Sequence, residues 1–416
     1  MLIVLWQRRK KEVAAVLLAV TVCATMALSV STVAVRLSKP VARVSATDLY
    51  NQNSVMILDF AVSPDNGTIA IAFAVPRDKE KVVVWLGEWK IVPGKLLAKI
   101  EVSDSVPLEL AFIGLRHRTI QYTPDGSALI LQAGYSLNVF EASDLKLRFA
   151  VRSDKITGTA VSAAVGQMFA ISQDGKKLAV LSGQMEYPGN RLGVVSFYDV
   201  GSGKELSNWP ALAHIASLSL SRNGDQLLAT VFEQSDAGDI LLLDGLSGHV
   251  VRSFVSGFQR ASSQKAASDA LFIDATHFVA SPAGWIDRNG NYPGSSLKVF
   301  DSRTGDVTGE LTYDKFGPSG SIWVSNEDSI IATLSVWMPH WKRRFNLSES
   351  GPKQGTFLFF RPRSGVPYCI VGPLPKTGGR ASQSGFIRLS PDLQFVGLFV
   401  NDMITVYSIG DCTVPR

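Results

Sequence analysis

Residues Gln167 to Trp209 read QMFAISQDGKKLAVLSGQMEYPGNRLGVVSFYDVGSGKELSNW. An apolar-alternating run, Met168 to Ser172, meets a tight turn at Gln173-Asp174-Gly175. A second run, Lys177 to Leu181, is followed by a loop and a third run, Gly193 to Val200. The turn Gly201-Ser202-Gly203 then leads into a short fourth run. Period-2 apolar patterning between Gly, Asp and Ser turns is the signature of antiparallel strands joined by hairpins. This stretch therefore predicts a four-stranded antiparallel unit.

The same unit recurs outward from it in both directions. Turns between the first two strands begin at Ser63, Thr123, Ser172, Ser221, Asp274, Ser325 and Ser390, at intervals of 60, 49, 49, 53, 51 and 65 residues. The fullest copies are Ser63-Pro64-Asp65-Asn66-Gly67 and Thr123-Pro124-Asp125-Gly126; Asp274-Ala275-Thr276 is a degraded one. Pro, Asp, Asn and Gly set or tolerate tight-turn dihedrals. A second marker closes the third strand: Phe197-Tyr198-Asp199, Leu242-Leu243-Asp244, Val299-Phe300-Asp301 and Val139-Phe140-Glu141. After the first three of these come Ser202-Gly203, Ser247-Gly248 and Thr304-Gly305. Seven four-stranded units of about this period predict an all-β, seven-bladed propeller of four-stranded antiparallel blades.

These turns and strand ends resemble the looser WD-repeat-like β-propellers, over nearly everything after residue 45. The Gly-His dipeptide of that family is absent, and its terminal Trp-Asp is replaced by Tyr-Asp, Leu-Asp or Phe-Asp. The resemblance implies a seven-bladed toroid and no particular partner. The seventh unit leaves little room for a fourth strand before Arg416, and residues 37–46 could supply it. Such closure would remove an open sheet edge.

Of the chain's 416 residues, 46% are hydrophobic and 19% charged, enough for a large core; 35 Gly and 19 Pro suit many turns. Of the formal charge of +5, a net +3 falls within the first twelve residues, through Arg8, Arg9, Lys10, Lys11 and Glu12. The rest is nearly neutral, which argues against a nucleic-acid partner. Residues 13–35 form an uncharged apolar run of 23 residues, VAAVLLAVTVCATMALSVSTVAV. About 20 such residues cross a bilayer, and the preceding cations favour a cytoplasmic N-terminus. The expectation is a cytoplasmic basic segment (1–12), one transmembrane signal anchor (13–35), a linker with a ring-closing strand (36–54) and an extracytoplasmic propeller (55–416). A cleaved signal with a site such as after Ser29 is the rival; its apolar core would be about 7–15 residues. Arg36, Lys39 and Arg43 weaken the orientation argument.

Hairpin alternation puts the first-to-second and third-to-fourth turns of every blade on one face. That face is plain. The other face carries the long inserts 183–191, 282–295 and 336–354, and the inter-blade stretches 255–268 and 372–384. Binding residues concentrate on loops held by rigid scaffolds. The candidate binding face is therefore Trp337, His340, Trp341, Arg343 and Arg344 on one insert, with Trp285, Tyr292 and Tyr187 on its neighbours. Trp, Tyr and Arg are enriched at binding hot spots; the alternative is that these aromatics pack their loops onto the rim. Five scattered histidines show no metal spacing, no GxSxG elbow occurs, and no cofactor or catalytic residue is expected. The expectation is a non-catalytic scaffold for another protein or an envelope ligand. The alternative is a hydrolase or lyase with acids gathered at the central channel. Cys369 and Cys412 would bridge in an oxidising compartment; two separate thiols is the other reading.

Overall fold

In the computed structural model the described residues are 33–35, 37, 39–50, 55–107, 119–134, 136–152, 169–183, 192–235, 238–256, 267–282, 296–312, 317–325, 330–337, 354–372, 387–400 and 402–409. They form seven sheets. Blades 1 to 7 span 56–107, 120–152, 169–210, 215–254, 267–312, 317–371 and 387–408. In blades 1 to 5 four strands pair antiparallel in chain order. In the stretch from Gln167 onward the strands are Phe169–Ile171, Lys177–Ser182, Val194–Asp199 and Glu205–Pro210. First strands of neighbouring blades approach one another around the axis.

Burial explains the graded hydrophobicity of the strands. Second strands are covered on both faces by adjacent blades; in Thr68–Pro76 every residue between the two ends is buried. Outer strands meet water, and Leu147–Arg152 holds no fully buried residue. Seven apolar clusters result, one at each blade boundary. Leu58 and Val84 of blade 1 meet Ile120, Leu129 and Phe140 of blade 2. At the closing boundary Ile404 and Val406 of blade 7 meet Phe60 and Ile71 of blade 1.

Ring closure uses both ends of the chain. Ala42–Ser45 is the fourth strand of blade 7, pairing antiparallel with Met403–Ser408. A short helix, Ala46–Leu49, capped by Ser45 and Asp48, turns the chain toward blade 1. Tyr50 then packs on Trp85, with ring centroids 5.5 Å apart.

One expectation needs correction. The apolar run predicts a span reaching Val35. Its last three residues, Val33–Val35, are instead a strand, pairing parallel with Cys369–Val371 as a fifth strand of blade 6. The unpaired edge of that outer strand offers backbone partners, and β-branched valines suit a ladder. Among the described residues no helix is long and apolar enough to cross a membrane; residues 1–32, and with them the expected anchor, lie outside the described residues.

Candidate interaction face

The short-turn face is built from one device used repeatedly. The Ser or Thr that opens the turn accepts a hydrogen bond at its hydroxyl from the backbone N–H five residues on: Thr68 to Ser63 at 3.0 Å, Ala128 to Thr123 at 2.9 Å and Lys177 to Ser172 at 2.9 Å. Gln226 to Ser221, Ile330 to Ser325 and Phe395 to Ser390 repeat it. In four copies the same hydroxyl donates to a carboxylate two residues later: Asp65, Asp125, Asp174 and Asp392. The degraded copy is one residue shorter, and Asp274 Oδ1 takes the hydroxyl's place, accepting from the Thr276 and His277 N–H groups.

The second turn is equally regular. Asp199, Asp244 and Asp301 accept from backbone N–H groups of Ser202, Ser247 and Arg303. Bonds from Ser202 and Ser247 hold Asp199 and Asp244 below the usual carboxylate range, and bonds from Arg303 hold Asp301 at about 2. Gly203 has φ +70° and leaves room for Phe149 of the preceding blade: a Cβ there would lie 2.6 Å from the ring. Gly248, at φ +71°, faces Trp209 in the same way. Glycine thus answers two demands, a left-handed backbone and a close aromatic neighbour.

The opposite face carries the long connections. Strands Ile331–Trp337 and Gln354–Phe360 pair up to Trp337 opposite Gln354, so the insert between them is rooted at that end of blade 6. Trp337 is thus the last residue of a strand rather than part of a free loop. His340, Trp341, Arg343, Arg344, Trp285, Tyr292 and Tyr187 lie outside the described residues. Two connections on this face that the sequence reading passed over are 108–119 and 153–168, between blades 1, 2 and 3. Only the observed strand ends reveal their length.

The acid that the inner strands place best for chemistry is Asp59. It is fully buried on the first strand of blade 1. Oδ1 accepts from Phe60 N (2.8 Å) and Arg388 Nε (2.9 Å). Oδ2 accepts from Thr119 N (2.8 Å) and Thr119 Oγ1 (3.0 Å). Four donors from blades 7, 1 and 2 occupy this carboxylate, so it ties three blades together rather than facing a substrate. Sequence reasoning missed it because Arg388 and Asp59 are 329 residues apart. Among the described residues no group of three or more His, Cys, Asp or Glu could hold a metal ion. Cys369 is fully buried and disulfide-bonded.

No family model and no curated protein matches this sequence. Solved structures do. A chain of the mitotic checkpoint complex is 11% identical, with 90% of this chain and 93% of that one covered and a TM-score of 0.52. The WD40 domain of Neurospora crassa Pan2 is 10% identical, with coverage of 90% and 96% and a TM-score of 0.53. The fold is that of the WD40-type propellers. In WD40-type terms the Asp199, Asp244 and Asp301 positions close the third strands, and their carboxylates hold the following turns. Identity this low speaks for the fold alone.

Proposed function

We propose that the chain is a non-catalytic binding scaffold that presents its long-loop face to another protein or to an envelope ligand. The observation that carries this reading is the division between the two faces. One face is committed to short, internally hydrogen-bonded turns. On the other, strand ends lie far apart in sequence, as between Trp337 and Gln354. Rigid blades carrying long loops are a common arrangement for recognition, and WD40-type neighbours favour protein partners. Trp341, Arg343 and Arg344 are the proposed anchors, with His340, Trp285, Tyr292 and Tyr187 around them.

The proposed setting is a membrane-anchored, extracytoplasmic one, with residues 13–32 as the anchor. Shortened by three, that run still has the roughly 20 residues a span needs. The disulfide at Cys369 supports an oxidising compartment, and Cys412 is its proposed partner. Non-reducing peptide mapping should recover one cross-linked Cys369–Cys412 peptide. A Cys23 peptide would sink the assignment.

The direct test is partner capture with the full chain beside a Trp341→Ala, Arg343→Ala, Arg344→Ala variant. Trp337 is left intact because it ends a paired strand. A partner held by the first and lost by the second, at equal thermal stability, is the expected result. Equal capture would move the site off this insert. A reporter fused after Arg416 should be active only outside the cytoplasm; cytoplasmic activity would refute the topology.

A further inference from the structure

Strand directions fix where the apolar N-terminal run leaves the propeller. A fourth strand runs from the short-turn face toward the long-loop face, because it follows the third-to-fourth turn. Cys369–Val371 is the fourth strand of blade 6, and Cys369 is its short-turn end. Val33–Val35 pairs parallel to it, with Val33 opposite Cys369 and Val35 opposite Val371. The Gly372 N–H donates to the Val35 carbonyl at 3.0 Å, completing the ladder at the far end. Val33 therefore sits at the short-turn face.

The turn beside this junction differs from the carboxylate-bearing turns of the other blades on this face. The turn that leads into Cys369 exposes Arg361, Arg363 and Val366. Guanidinium groups bind phosphate oxygens bidentately, and an exposed apolar side chain on the same turn can enter the acyl boundary. Five other blades expose an apolar side chain at the same end. Val92 and Leu246 stand on turn tips in blades 1 and 4, 69% and 55% exposed. Leu147 and Val307 begin the outer strands of blades 2 and 5, and Leu206 is the second residue of that of blade 3. Single exposed valines and leucines are ordinary. Val194, Leu212 and Val255 are exposed toward the other end.

We infer that the blade 6 edge of the short-turn face lies against the bilayer surface, with Arg361 and Arg363 at the phosphate headgroups and Val366 reaching toward the acyl boundary. The long-loop face then points away from the membrane. This rests on the proposed anchor. A helix of 20 residues is about 30 Å long, the thickness of the hydrocarbon core. It would use the whole run and leave no slack to lift blade 6 off the headgroups. The geometry also frees the long inserts for a partner on the distal side.

Depth-dependent quenching tests this. An environment-sensitive fluorescent amino acid replaces Val366 in one full-length chain and Val255 in another, each reconstituted in phospholipid vesicles with brominated acyl chains. Strong quenching at 366, several-fold above that at 255, is the expected result. Equal quenching, or stronger quenching at 255, overturns the orientation. Alkaline extraction of the same vesicles separates the two readings. A chain released by it refutes the anchor, and the orientation with it; a chain retained with the reversed pattern refutes the orientation alone. In a retained chain, Arg361→Glu with Arg363→Glu should reduce quenching at 366 while leaving 255 unchanged. Unchanged quenching at 366 would overturn the headgroup contact.

Discussion

A hydroxyl at the mouth of six of the first hairpins does work that its exposed counterparts do not. Ser172 is fully buried, accepts from Lys177 N at 2.9 Å and donates to Asp174 at 2.6 Å. Removing it strands a buried N–H group, which costs about 1–3 kcal/mol. Ser172→Ala should lower the denaturant midpoint by that measure. Ser202→Ala, on an exposed turn, should change stability by no more than about 0.5 kcal/mol. The carboxylates give a pH signature. Asp301 is held at about 2 by Arg303 and nearby backbone N–H groups, and Asp65, Asp199 and Asp244 are lowered by their hydroxyl partners. A folded value below the unfolded one, near 3.9, stabilises the fold above that pH. The contribution is lost as pH falls through about 4 toward 2. Acid titration of Asp301→Asn should show a shallower loss over this window than the parent chain. An unchanged slope would refute the assignment.

Elements are held to one another by close approaches that leave no space for an added carbon. Gly397, in the second strand of blade 7, faces Phe60 of blade 1, and a Cβ there would sit inside van der Waals contact of that ring. Phe60 is fully buried and has nowhere to go. Gly397→Ala should therefore destabilise by about 1–3 kcal/mol through overpacking. Adding Phe60→Leu should return part of the loss, as a double-variant cycle of thermal stabilities would show. A neutral Gly397→Ala would mean that the blade 7–blade 1 boundary is looser than described. Gly248 adds a backbone demand to the same kind of contact, since its φ of +71° faces Trp209. The repeats display these glycines in the sequence, and their turn role is legible there. Their aromatic partners belong to the preceding blade, and no local pattern pairs them.

At the scale of the whole ring, closure is a matter of both backbone and charge. Ala42–Ser45 completes blade 7, and the Asp59–Arg388 bond at 2.9 Å ties blade 7 to blade 1 while Thr119 adds blade 2. Breaking a buried ion pair on one side leaves an uncompensated charge, at a cost of about 3–5 kcal/mol. Arg388→Leu should show such a loss in denaturant unfolding, and Arg388→Leu with Asp59→Asn should recover much of it. Equal instability of the two variants would make packing, not charge, the cause. A chain beginning at residue 46 exposes the edge of Met403–Ser408, which invites association. It should sediment as oligomers where the full-length ring does not.

Repeats made the architecture legible. A strand of period 2 must put alternate residues on opposite faces, and a tight turn needs particular residue types, so five copies of Ser/Thr-x-Asp/Asn and two degraded ones before apolar runs determined seven blades by local chemistry. The short and long faces followed from hairpin alternation alone. What the sequence could not determine was everything set by long-range partners. Val33–Val35 reads as the end of an apolar span, and only the free edge of Cys369–Val371 made it a strand. Asp59 reads as one acid among many, and only the meeting of three blades made it a latch. In both cases a partner more than three hundred residues away, Cys369–Val371 for the strand and Arg388 for Asp59, is brought close only by closure of the ring.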